Sequence, residues 1–181
     1  MIAHIDDAML TAQPWASCGP VALAALLKRP LVELRHAFPH QEADRATWTS
    51  LPQMKAALTT LGEHWTPTLL SAEDEAARAA FADGFPVRVW PKRGLALIQW
   101  RGSWDRLDVG HPGQLRHTHW VAVLGASVFD VNAVGISALA GLGWWQPRAT
   151  WERLMVPQII SYTLGATGGW WVRAGLEIGT P

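Results

Sequence analysis

The chain has 181 residues, 49% of them hydrophobic and 17% charged, a balance that fits one folded core and leaves too little for two. The sequence therefore predicts a single domain over 1–181. Fifteen basic and fifteen acidic residues cancel, with no run of like charge, so nothing advertises the basic face that a nucleic-acid partner needs. No segment approaches the roughly 20 consecutive apolar residues of a membrane span.

Met1-Ile2-Ala3-His4-Ile5-Asp6-Asp7 lacks the basic and apolar regions of a signal peptide. One cysteine cannot form an internal disulfide, which suits a reducing compartment, and the expected location is the cytoplasm. The first helix is expected after Ser17-Cys18-Gly19-Pro20, because Pro20 is tolerated in a first turn and Val21 to Lys28 is rich in Ala and Leu. Pro30 introduces a second, Leu31 to Ala37. A third starts at the capping pair Thr49-Ser50 and stops at Gly62. A fourth, Ala72 to Ala82, carries Glu73, Asp74 and Glu75 at its favourable N-terminal end. The second half changes character. Residues 86–90, 95–100, 119–124, 128–132, 158–164 and 170–176 read as strands, with a short helix over 150–156 and a polar loop over 101–116. Helices followed by an antiparallel sheet define an α+β fold.

Twelve tryptophans stand against one tyrosine and four phenylalanines, and the first expectation for them is the core. Trp144-Trp145 and Trp170-Trp171 are adjacent pairs. Neighbours on a strand point to opposite faces, so one of each pair is a candidate for exposure.

Cys18 carries the chemistry. A cysteine at a helix N-terminus is stabilised as the thiolate by unpaired backbone N–H groups and by the helix dipole. Gly19, lacking a side chain, is expected to let substrate approach. A thiol nucleophile needs a base, and seven histidines compete: His4, His36, His40, His64, His111, His117 and His119. Only His119 heads an apolar strand, Trp120-Val121-Ala122-Val123-Leu124, that would fix its position. If Gly125-Ala126 is a two-residue turn, Leu124 pairs with Ser127. The same register sets His119 opposite Asn132, close enough to orient the imidazole. Asp130, opposite Val121, is the fallback third member. A zinc reading of His111, His117 and His119 fails because no cysteine or carboxylate cluster completes a site beyond Asp105 and Asp108, and no metal or other cofactor is expected.

Gln13 followed by Cys18-Gly19-Pro20-Val21-Ala22-Leu23-Ala24 resembles the nucleophile region of papain-like cysteine peptidases, most of all the bacterial double-glycine leader peptidases. His119-Trp120-Val121-Ala122-Val123 resembles their histidine strand, and the order Cys, His, Asn agrees. Ser17 departs from their usual aspartate, and Val131-Asn132-Ala133 from their Asp-Pro. The resemblance implies a papain-like fold, a bacterial or phage origin and a Cys18–His119–Asn132 triad. It also implies that Gln13 and the Cys18 N–H form an oxyanion hole. The expected substrate is a peptide or protein, with Trp15 and Trp120 walling the cleft. The same geometry would serve a peptidoglycan amidase or a protein deamidase, and a silent binding module is the rival of a different class.

Overall fold

The computed structural model describes residues 16–41, 47–68, 90–106, 117–133 and 145–179. The expected helix at 72–82 and nearly all of the expected strand at 86–90 lie outside them, as do residues 107–116 of the polar loop.

Helix α1 (Cys18–Leu27) begins at Ser17 and ends at Lys28, whose φ of 56° closes the helix in the left-handed conformation. Helix α2 (Leu31–Leu34) runs into a 3₁₀ turn, Arg35–Ala37. Helix α3 (Leu51–Thr60) has a complete capping box: the Ser50 hydroxyl accepts from the Gln53 N–H, and the Gln53 side chain accepts from the Ser50 N–H. Strand β1 (Trp65–Pro67) follows.

Strands β2 (Arg93–Gly102), β3 (Thr118–Leu124), β4 (Ser127–Phe129), β5 (Trp145–Pro147) and β6 (Ala166–Ile178) complete one antiparallel sheet of order β1-β6-β2-β3-β4-β5. Sequence patterning anticipates β2, β3 and β6, and the mixed α+β class. The β3–β4 hairpin has the expected register, with Leu124 opposite Ser127 and Ala122 opposite Phe129. Gly125 supplies the positive φ, 59°, that the tight turn demands.

Two expectations change. Residues 128–132 are not one strand: β4 stops at Phe129, and Val131–Ala133 is a 3₁₀ turn. Residues 158–164 are not a strand either. Arg148–Thr150 (α4), a π-helical segment (Trp151–Met155) and Val156–Ser161 (α5) form successive helical turns. Trp151, Met155, Val156, Ile159 and Ile160 recur at helical spacing and are all buried against the sheet. That stripe overrides the strand preference of Ile159-Ile160. Pro157 lies in the first turn of α5; a proline has no N–H to give the preceding turn, which accounts for the wider π turn there.

Each sheet face has its own core. Helices α1 to α3 cover one face, with Leu95, Leu97, Trp120, Ala122, Phe129 and Leu176 pointing toward them. The π segment and α5 cover the other, with Ala96, Ile98, Trp100, Val121, Val123 and Trp170 beneath. Trp170 and Trp171 are both buried, so the expectation that one of that pair is exposed does not hold. Trp144 lies outside the described residues. Among the described residues, no helix is long and apolar enough to cross a membrane.

Candidate active site

The site forms where β4 leaves β3. In the hairpin ladder, Trp120 is the next residue of β3 whose N–H points toward β4, after Ala122. Its partner would be Val131, but Val131 has already turned away into the 3₁₀ segment. The freed Trp120 N–H donates instead to Cys18 Sγ at 3.5 Å. The early end of one strand thus gives the thiol a backbone donor.

Asp130 causes that early end. Its Oδ1 accepts from the Asn132 N–H at 2.8 Å, and its carbonyl accepts from the Ala133 N–H at 3.0 Å. Such a side-chain turn competes directly with the strand ladder. The same Oδ1 lies 2.6 Å from His119 Nε2, and Oδ2 accepts from Trp151 Nε1 at 2.8 Å. Asp130 and His119 are both buried, at 1% and 4% exposure. The Asp130 carboxylate therefore takes the position behind the imidazole that sequence reasoning gave first to Asn132. Asn132 is exposed, and its side-chain nitrogen lies 3.4 Å from His119 Nδ1, on the other side of the ring. Trp100 stacks on His119 with ring centroids 6.2 Å apart and 21° between planes.

With Nε2 committed to Asp130, Nδ1 is the ring nitrogen left to serve the Cys18 thiol, and the two groups lie close enough to shift each other's ionisation. Burial by itself would push the Cys18 thiol up. The His119 charge, its hydrogen bond and the Trp120 N–H outweigh burial and hold the thiol below its ordinary value. Burial by itself would push His119 down. Asp130 and Cys18 outweigh it and hold the imidazole well above its ordinary value. Asp130 is likewise penalised by burial, yet lowered by His119, Trp151 and the Asn132 N–H. These shifts act in the same direction, toward a thiolate facing an imidazolium backed by a carboxylate.

The start of α1 suits a thiolate. No side chain caps it, because the Ser17 hydroxyl is drawn 3.2 Å from Thr49 Oγ1 and accepts from Gln41 Nε2 at 3.3 Å. Pro20 removes one further donor, leaving the positive end open to the sulfur or to an oxyanion. Gln41, 2% exposed, also donates to the Thr47 carbonyl at 2.8 Å and to Thr49 Oγ1 at 3.0 Å. This network ties the segment before α3 to the start of α1.

Two substrate assignments change. A Cβ at Gly19 would come within 2.8 Å of Thr49 Cβ and 3.1 Å of Met54 Cε. Its missing side chain makes room for α3 and its approach, not for substrate. Trp120 is fully buried and donates from Nε1 to the Thr49 carbonyl at 2.8 Å, so it is a core post rather than a cleft wall. Gln13 and Trp15 lie outside the described residues, as do His4 and His111. His117 stacks on Trp104 at 3.5 Å. Sequence reasoning missed Trp151 and Trp100, and nothing but the abundance of tryptophan could have pointed to them. No protein-family model, curated protein or solved structure matches the chain.

Proposed function

We propose that this chain is a papain-like cysteine hydrolase that cleaves a peptide or related amide bond, with Cys18 as nucleophile, His119 as acid–base and Asp130 as the orienting carboxylate. One observation carries the reading: a buried Asp130–His119 pair, with one ring nitrogen not taken by the carboxylate, lies within electrostatic reach of a cysteine at an uncapped helix N-terminus. Asp130 replaces Asn132 as third member, and the chain order of the triad is unchanged.

In this mechanism the Cys18 thiolate attacks the carbonyl carbon and a C–S bond forms. The developing oxyanion takes the Cys18 backbone N–H at the helix start, and a donor so placed contributes about 2.7–4 kcal/mol in comparable sites. By the family resemblance, Gln13 is the second donor. His119 gives the Nδ1 proton to the leaving nitrogen as the C–N bond breaks. Water then attacks the thioester and returns a proton to His119. The C–S bond breaks, releasing acid and free thiolate. Asp130 holds the imidazole in place and offsets its charge throughout.

The chain has a single cysteine, so alkylation reads this site alone. Labelling of Cys18 by iodoacetamide should already be fast at pH 6 and should vary little up to neutral pH, because a lowered thiol and a raised imidazole keep the ion pair between their two values. His119→Ala should slow labelling at pH 6 on the order of 10²-fold and restore the steep rise of an ordinary thiol near its unperturbed value of about 8.5. Equal, slow labelling in both proteins would sink the hydrolase reading and leave a binding module.

A further inference from the structure

Strand β6 carries a cation, Arg173, that meets no carboxylate among the described residues. The β2–β6 register slips by one between Leu97, opposite Ala174, and Ile98, opposite Val172. Arg173 is the extra residue of that bulge. Bulges re-aim a side chain out of the regular pleat, and here the guanidinium is aimed at Gln99, whose Oε1 accepts from Nη1 at 2.9 Å. Arg173 is half-buried, and among the described residues no carboxylate pairs with it. Burial alone acts on its pKa, pushing it down. A guanidinium withdrawn from water with one neutral partner is costly to keep unless something anionic meets it.

The position of that cation relates it to the site. Gln99 lies opposite Thr118, next to His119, and opposite Trp171 on the other side. By strand alternation Gln99 shares the sheet face of Leu97 and Trp120, the face on which α1 presents Cys18. Gln99 is fully buried and fixed by donating to the Trp100 and His117 carbonyls at 3.2 and 3.3 Å. It is therefore a rigid post rather than a competing ligand. Trp48 donates to Thr118 Oγ1 at 2.8 Å and is partly exposed beside this row. Strand β6 is two strands from β3, which places Arg173 about 10 Å across the sheet from Trp120, with the Cys18 sulfur beyond it on the β4 side.

We propose that Arg173 is a specificity-determining residue that receives a carboxylate of the substrate on the β2 side of the bond cleaved by Cys18. The proposal rests on Cys18 being the nucleophile. The Nη2 and Nε edge of Arg173, which has no partner among the described residues, offers the two-pronged geometry that favours a carboxylate. That carboxylate is either a peptide's own C-terminus or an acidic side chain.

Neutral maleimides that carry the carboxylate on a tether of matching reach supply the test. One pair is maleimidopropionyl-glycine against its amide. The other is maleimidopropionyl-glutamic acid amide against its glutamine counterpart. At low ionic strength, wild-type Cys18 should react at least tenfold faster with the acid of one pair, and the pair with the larger ratio names the source of the carboxylate. Added salt should shrink the ratio. Arg173→Gln should bring it to one, and Arg173→Lys should keep part of it. Equal rates for acid and neutral partner in both wild-type pairs overturn the proposal without any variant having to fold. So does a preference that survives unchanged in Arg173→Gln. An inactive thiol would instead show as slow labelling by the neutral reagents, while the acid-to-neutral ratio still reports on Arg173.

Discussion

The two faces of the sheet are packed from different materials, and the site takes one half from each. The face under α1 is closed mainly by small and aliphatic residues, with Val21, Ala22, Leu23, Ala24, Ala25 and Leu26 all buried and Trp120 and Phe129 the large rings on the sheet beneath them. That packing brings a helix close to the sheet and sets Cys18 at its edge. The opposite face is closed by indoles: Trp100, Trp104, Trp151 and Trp170, with Trp90 against Trp151 and Trp170 edge to face. That packing supplies Trp100 to stack on His119 and Trp151 to bond Asp130. Close backbone approach thus positions Cys18, whereas bulky rings with polar tips position His119 and Asp130. If the comparison is right, damage to the two faces should have different signatures: loss of base function on one side, misplacement of the sulfur on the other.

The largest effect should follow from breaking the base side at its centre. Asp130→Asn keeps the shape but removes the charge that raises His119. The imidazole should then lose its proton at lower pH, and the pH range of hydrolysis, which needs that proton, should contract from its alkaline side. Hydrolysis should fall on the order of 10²–10⁴-fold, as when a triad loses its orienting carboxylate. Stability has a definite sign. The Asp130 carboxyl is held below its ordinary value, so its stabilisation is present above the unfolded carboxylate range and disappears as pH falls through the folded value. His119 runs the other way: its stabilisation is full below its ordinary value and is lost as pH rises through the raised folded value. Urea unfolding of wild type and Asp130→Asn should therefore differ at pH 6 and converge toward pH 3. A constant gap across that range would mean that the carboxylate is not held by charge.

A smaller effect should follow from Trp151→Phe. It leaves Asp130 charged but removes the Nε1 donor to Oδ2. A hydrogen bond to a charged group contributes about 1.5–3 kcal/mol. Melting or urea unfolding should register that loss, and the carboxylate, freed on one side, should orient the imidazole less well. The labelling rate should drop less than in Asp130→Asn. Unchanged stability with unchanged labelling would remove the indole face from the comparison.

Much of this was legible in the residues. Cys18 was marked by Gly19-Pro20 and the Ala-Leu run behind it, His119 by the apolar strand it heads, and the hairpin register by Gly125-Ala126. The third member was misread for a physical reason that is itself local. Carrying the register past Phe129 assumed that the ladder continues, but the Asp130 side chain satisfies the Asn132 N–H and ends the strand. An aspartate two residues before a free N–H is a turn signal as well as a candidate base partner, and here it is both. The helical turn through Ile159-Ile160 was hidden because β-branched residues read as strand until Trp151, Met155 and Val156 are counted with them. Trp151 as a carboxylate donor was not legible at all. It comes from 21 residues beyond Asp130 and depends on how α5 and its π segment lie on the sheet.

The nucleophile side is tested by Gly19→Ala. The added methyl meets Thr49 Cβ at 2.8 Å and Oγ1 at 2.9 Å, and Thr49 is held by Gln41 Nε2 and by Trp120 Nε1 on its carbonyl. The threonine cannot swing aside without breaking that network, so the start of α1 must move instead. Overpacking of this kind costs about 1–3 kcal/mol. A shift of a few tenths of an ångström at Gly19 carries Cys18, its neighbour, away from the Trp120 N–H and from His119. The base side is untouched, because His119, Asp130 and Trp151 hang from the other core. Gly19→Ala should therefore slow Cys18 labelling and raise the pH at which the thiol ionises, while the NMR titration of the His119 ring moves far less than in Asp130→Asn. A His119 shift as large in Gly19→Ala as in Asp130→Asn would show that the two faces do not act separately. It would also make the thiolate, rather than the carboxylate, the main support of the imidazolium.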